Sequence, residues 1–160
     1  MPTYFSESRC VELSLLDHLD TNLAIDWPGT TVVKTFKQAY SSTINLPIVA
    51  VRLADTSTTR LEVGSTTFDN RYLLIIDIFA KSDGMRLDMA DYIKTKLKDS
   101  WVNYTYSRAS GSTTELGRIA NGRDTVTDFV TDARIDFGDQ VDTKDRFRQS
   151  ISIRIRHKDA

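Results

Sequence analysis

One cysteine, Cys10, leaves the chain with no possible internal disulfide and fits a reducing compartment. Neither sign of charge is in surplus. There are 21 Lys and Arg against 22 Asp and Glu, for a formal net charge of −1, so no basic excess marks a dedicated nucleic-acid binder. Long apolar runs are missing as well: Leu73–Ile76 is far too short for a membrane span. The start shows no cationic stretch leading into an apolar segment, so no secretory signal is expected. Internal repeats, coiled-coil heptads and low-complexity tracts beyond short Ser/Thr patches are also lacking. The expectation is a soluble protein that is not exported by a signal of its own.

What is present is an ordinary globular composition, 40% hydrophobic and 27% charged over 160 residues. That length suits one domain burying roughly two-thirds of its unfolded surface. Residues 6–24 predict a first helix, capped by Ser6 or Ser8, with Val11, Leu15, Leu16, Leu19 and Leu23 at helical spacing. Trp27-Pro28-Gly29 ends it. Thr31–Phe36 has strand-like content, and Lys37–Asn45 is too polar to assign. Leu46–Leu53 predicts a strand with Pro47 near its start. Asp55–Thr59 predicts a turn, Arg60–Val63 a short strand, and Gly64–Asn70 another turn. Tyr72–Phe79 offers apolar residues to both faces, as a central covered strand does.

Ser82 or Asp83 is expected to cap a second helix running to Lys98. Met85, Met89, Ile93 and Leu97 form its buried stripe, widened by Leu87 and Ala90. Its acids lie early and its lysines late, the order the helix dipole favours. Trp101–Tyr106 predicts a strand and residues 107–114 a mobile loop. Asn121-Gly122 carries the residues of a type I′ hairpin turn, joining Glu115–Ala120 to a long strand Arg123–Phe137. In that strand Phe129, Ala133, Ile135 and Phe137 alternate with Asp128, Asp132, Arg134 and Asp136. In the last strand Ile151, Ile153 and Ile155 alternate with Ser152, Arg154 and Arg156. Pairing Phe137 with Phe147 sets Ala133 opposite Ile151, Asp136 opposite Arg148 and Asp128 opposite Arg156, with Gln149 the one polar residue on the apolar face. The predicted class is α+β: a mixed or antiparallel sheet with two main helices packed on it and a long C-terminal hairpin, in a single domain over 1–160.

Catalytic patterns are sparse. Asp77 is a carboxylate in an otherwise apolar strand, read as the buried half of an ion pair or as exposed at a subunit contact, in preference to a general base. Glu62, Asp77 and Lys81 do not meet restriction-nuclease spacing, because the position two before the lysine is Phe79. His18 and His157 lie at opposite ends of the chain with no zinc-binding companions. His18 is therefore expected on a helix surface. Ser110–Ser112 lacks a hydrolase elbow, and Gly117 with Gly122 makes no phosphate loop. Cys10 is read as a small helix residue. Arg108, Arg118 and Arg123 gather near the loop and the Asn-Gly turn, where they are candidate subunit or DNA-channel contacts, or a solvated surface interleaved with Glu115 and Asp124. Trp101, Tyr104 and Tyr106 are read as core packing on opposite sheet faces. No cofactor, metal or enzymatic turnover is expected.

The stretches Arg60-Leu-Glu-Val-Gly64, Asn70–Lys81, Arg86–Ile93, Asp136–Asp139 and Asp145–Arg148 resemble the neck and tail-terminator proteins of tailed bacteriophages over about two-thirds of the chain. The resemblance implies a structural virion protein, a small α/β protomer in a ring, usually sixfold, that caps the tail tube at the head–tail junction. Its implied partners are copies of itself, the tail tube, sheath proteins where the tail contracts, and head-completion or connector proteins. Genomic DNA would pass the channel without sequence-specific binding, and no membrane is involved. The other readings are a head-completion adaptor or tail-tube protein, and a stand-alone binding domain or enzyme.

Overall fold

The computed structural model describes residues 3–64, 66–109, 112, 114–136 and 144–159. The class is α+β, a six-stranded mixed sheet curled as a half-barrel with two main helices. Helix α1 (Glu7–Asp26) comes first, then strand β1 (Thr31–Val33) and the short helix α2 (Phe36–Ala39). Strands β2 (Ile48–Arg60) and β3 (Phe68–Phe79) follow, then helix α3 (Asp83–Leu97). Strands β4 (Trp101–Arg108), β5 (Glu115–Ile135) and β6 (Arg148–Lys158) complete the fold. Across the sheet the order is β1-β2-β3-β6-β5-β4, with only the β1–β2 pair parallel. No helix among the described residues is long and apolar enough to cross a membrane.

Both long helices pack on one face of the sheet through the expected stripes. Val11, Leu15, Leu19 and Leu23 of α1 and Met89, Ile93 and Leu97 of α3 are fully buried. They meet Tyr72, Leu74, Ile76 and Ile78 of β3 and Ile151, Ile153 and Ile155 of β6. Helix α1 touches β4 at one side of the sheet and β1 and β2 at the other, so it lies in the trough of the half-barrel. Ser14 accepts a bond from Tyr104 N at 2.9 Å, and Tyr4 bridges Ser107, which together cover much of the β4 edge. On the opposite face Ala39, Phe36, Ile44 and Leu46 cover only one end, over Ile48, Ala50 and Phe79. Strand β3 is thus an interior strand buried on both faces at that end.

Ser82 caps α3, accepting from Met85 N at 3.2 Å. Ser6 is the N-cap of α1 without a side-chain bond, and α1 runs two residues past its expected end. Leu87 of α3 is 49% exposed and does not widen the buried stripe. Arg86 does so instead, buried against Gln149 and Asp83.

Four expectations are corrected. Asp55–Thr59 is not a turn, and Arg60–Val63 is not a strand. β2 runs unbroken to Arg60, paired to β3 as far as Phe68, with one irregularity at Ala54. The segment has no Gly or Pro to break it, and its threonines suit a pleated backbone. The turn falls instead at Leu61–Gly64, where Gly64 has φ +88°.

Asn121-Gly122 does not turn the chain either. β5 is one strand of 21 residues, and the two residues together oppose only Asn103 between the pairs Val102↔Arg123 and Tyr104↔Ala120. The positive φ of Gly122, +74°, serves a β-bulge. The β4–β5 pairing instead closes upstream of Asn121, at Arg108↔Glu115, and of the residues between these two, 110, 111 and 113 lie outside the described residues.

β5 and β6 do pair antiparallel, but in another register. Ile135 faces Arg148, Asp132 faces Ile151, Asp128 faces Arg154 and Thr125 faces Arg156. Irregularities at Thr127 and Val130 each consume an extra β5 residue. They also break the expected alternation. Phe129 and Asp132 pair with Ile153 and Ile151 on the helix side, whereas Ala133 and Ile135 pair with Ser150 and Arg148 on the other. Phe137, on which the expected register hung, lies outside the described residues.

Candidate functional site

Asp77 is 1% exposed and forms the expected buried pair. Its partner is Arg148, which stands beside Phe79 at the start of β6 and reaches Asp77 Oδ1 from Nη2 at 3.0 Å and from Nε at 3.3 Å. Burial raises the Asp77 pKa, and the Arg148 guanidinium opposes that rise. Asp77 Oδ2 completes no hydrogen bond; Ser150, directly across the strand pair, is a polar neighbour that favours the charged form. Arg148 also donates to Asp145 Oδ1 at 3.2 Å, and its guanidinium lies 4.5 Å from the Phe36 ring centre. Tyr40 donates to the same Asp145 oxygen at 2.5 Å, and its own pKa is pushed up to about 12, by burial first and then by that carboxylate. Lys144 Nζ donates to the carbonyls of Ala39, Ser41 and Ile44. These contacts tie α2 and the approach to β6 onto the sheet. They form a structural clamp whose charges are neutralised locally.

A second polar seam joins α3 to β5. Lys94 Nζ donates to Asp132 Oδ2 at 2.6 Å, Gln149 Nε2 donates to Asp132 Oδ1 at 2.5 Å, and Arg86 donates to Gln149 Oε1. Gln149, the one polar residue on the apolar face of β6, is thereby satisfied on both sides.

The third cluster had no sequence signal, because its members are scattered along the chain. Asp124 is fully buried, accepting from Asn103 Nδ2 at 2.8 Å and from His157 Nδ1 at 2.8 Å. His157 Nε2 donates to Asp159 Oδ1 at 3.0 Å. A carboxylate at each nitrogen favours the doubly protonated imidazole, and its pKa is raised, chiefly by the bond to Asp124. Cys10 is buried nearby at 3% exposure, and burial pushes its thiol pKa up, which disfavours the nucleophilic thiolate.

Arg108, Arg118 and Arg123 follow β4 and β5 near α1, but each is engaged within the chain. Arg108 donates to Tyr4 O at 3.0 Å and lies over Phe5. Arg118 pairs with Asp17 at 2.8 Å over the Tyr104 ring. Arg123 donates to the Ser100 hydroxyl at 2.6 Å and to the Ser100 carbonyl. Asp124 is no part of a solvated surface around them. Trp101 and Tyr106 do pack in core clusters, Trp101 in the main one and Tyr106 against Phe5 and Cys10. His18 is half-buried, stacked on Trp101 at 5.4 Å, with Nε2–H donating to Lys96 O at 3.2 Å. Burial lowers its pKa. The cleft between His18, Trp101 and Arg123, about 270 Å³, presents no paired acid and base. Among the described residues no group of three His, Cys, Asp or Glu is placed to hold a metal ion.

What the fold leaves most exposed is strand. Ala54–Arg60 of β2 and Thr127–Arg134 of β5 are exposed at every residue, with Asp132 the point at which the second segment is tied to α3. Val63 and Leu61, at the tip of the β2–β3 hairpin, are also exposed, as is Phe68. These segments are the candidate interaction surface. Neither a scan against protein-family models nor a search of curated proteins finds a match for this chain.

Proposed function

We propose that this chain is a structural virion protein, the ring-forming tail-terminator or neck subunit of a tailed bacteriophage. In this role it caps the tail tube and joins it to the head-completion complex. One observation carries the reading on the structural side: two long strand segments stand with solvent on both faces of a sheet whose other charged clusters are paired internally. A folded chain that extends strands beyond its own core has built surface for a neighbour. The phrases shared with neck proteins supply the class of neighbour. A ring requires two different surfaces of one protomer to meet, and β2 and β5 lie on different sides of the sheet.

Tails assembled without this protein should have uncontrolled length or fail to join heads by electron microscopy. Normal tails joined to heads in its absence would contradict the proposal. Addition to tail tubes tests the position in the particle. Binding at the tube end supports a terminator, binding only to connectors supports a head-completion adaptor, and incorporation along the tube supports a tube subunit.

A further inference from the structure

Two backbone edges of the sheet have no strand beside them. The parallel partner β1 leaves β2 at Ala50, so the outer edge of β2 is open from there to Arg60. A side-chain carboxylate caps it at two points: Glu12 accepts from Leu53 N at 3.1 Å, and Asp55 from Thr56 N at 2.8 Å. On the other side of the sheet β4 leaves β5 at Asp124, while β6 stays paired on the opposite edge as far as Ile135. Among the described residues no backbone group outside β6 bonds to Thr125–Ile135. An unpaired edge is a template for another strand, and chains that avoid such pairing blunt it with charged side chains, proline or bulges. Thr56-Ser-Thr-Thr59 has none of these devices. The β5 edge carries bulges at Thr127 and Val130, which leave Thr131–Ile135 as its regular stretch.

Sense and height follow from the pairings. Each step from β2 through β3 and β6 to β5 is antiparallel, so β2 and β5 run in opposite directions. A second copy set alongside with its helices on the same side therefore brings its β2 edge antiparallel to the β5 edge of the first. Thr59 stands level with Asp69 of β3 and Thr131 level with Ile75, through Ser152. Setting these two residues side by side shifts the second copy by six residues along the strands, roughly 20 Å at ~3.4 Å per residue. Adjacent copies would add with that stagger, leaving room for β1 of one and β4 of the other. A repeated stagger is the shear with which a tilted sheet closes on itself.

We propose that the β2 edge of one copy of this chain pairs antiparallel with the β5 edge of the next, so that one sheet continues from subunit to subunit around the ring. The occupant of each edge is a second copy, because the one chain carries both edges, of similar length and in matching sense. Side chains must stay on their own face across the junction. Thr59 and Thr131, both on the face away from the long helices, are accordingly neighbours in the pairing. This rests on the ring reading and names the contact that makes the ring.

The test uses single-cysteine variants Thr59→Cys and Thr131→Cys, each also carrying Cys10→Ser, with circular dichroism to verify folding. A short bismaleimide is added, with and without tail tubes. A mixture of the two should give crosslinked dimers that neither gives alone. The double variant should give a ladder ending in a closed species of the ring's copy number. Self-crosslinking of Thr59→Cys alone would show two-fold pairing of β2 edges and overturn the proposal. Rings of unchanged native mass without the mixed crosslink would overturn the edge pairing and leave the ring reading standing. A monomer both alone and with tail tubes would overturn both.

Discussion

The two halves of β2 behave as different materials. Ile48–Val51 is buried on both faces, under α1 on one side and the α2 segment on the other, whereas Ala54–Arg60 is buried on neither. β5 has one buried residue, Asp124, and Thr127–Arg134 is exposed throughout. The inner half of β2 is held by the chain's own core. The other is strand by virtue of its hydrogen bonds and the absence of breakers. The contrast teaches that this sheet is larger than its core requires, and that the excess lies at its two open edges.

The largest loss should come from opening the clamp on the buried end. Arg148→Met leaves the Asp77 carboxylate buried without its hydrogen-bonded cation, a change worth about 3–5 kcal/mol. Asp77→Asn added to Arg148→Met should recover much of that loss in urea unfolding. No recovery would mean that the pair is not the source of the cost. Next, Ile93→Ala on the fully buried face of α3 should cost about 2–5 kcal/mol, against a change within about 0.5 kcal/mol for Thr58→Ala in the exposed half of β2. Comparable losses at the two sites would erase the distinction between core and arm.

Legibility in the sequence divides along the same line. β3, α1 and α3 were readable because burial on one side imposes a period, seen in Val11, Leu15, Leu19 and Leu23 and in Met89, Ile93 and Leu97. The outer half of β2 was not readable, since a strand wet on both faces needs no apolar residue and Asp-Thr-Ser-Thr-Thr looks like a turn. Asn121-Gly122 was recognised as a site of positive φ, but a bulge and a hairpin ask for the same residue there. The β5–β6 register failed because the irregularities at Thr127 and Val130 fall among residues with no glycine or proline to announce them. Asp77 was conspicuous as the lone acid of an apolar strand. Its partner lies 71 residues away, beyond any local pattern.

Smaller effects sharpen the comparison. Gly122→Ala places a side chain at φ +74° and should cost about 1–2 kcal/mol, with β5 remaining one strand. A larger loss accompanied by altered pairing of β4 would point to a turn in place of a bulge. The His157 contribution should depend on pH. Its folded pKa lies above the ordinary 6.5, chiefly through Asp124. The stability it adds is therefore fully present below 6.5 and is lost as pH rises through the folded value. The stability difference between the native protein and His157→Gln should shrink as pH rises above 6.5. A difference that is flat or grows with pH would show that His157 is not held as the cation.

Hydrogen–deuterium exchange, compared between the free protein and the protein assembled on tail tubes, tests most directly whether the two exposed strand segments are the assembly surface. The outward amides of Thr56–Arg60 and Thr127–Arg134 should exchange quickly in the free protein and slow together on assembly, while β3 and β6 stay slow in both. Assembly that leaves both segments as fast as before would contradict the account.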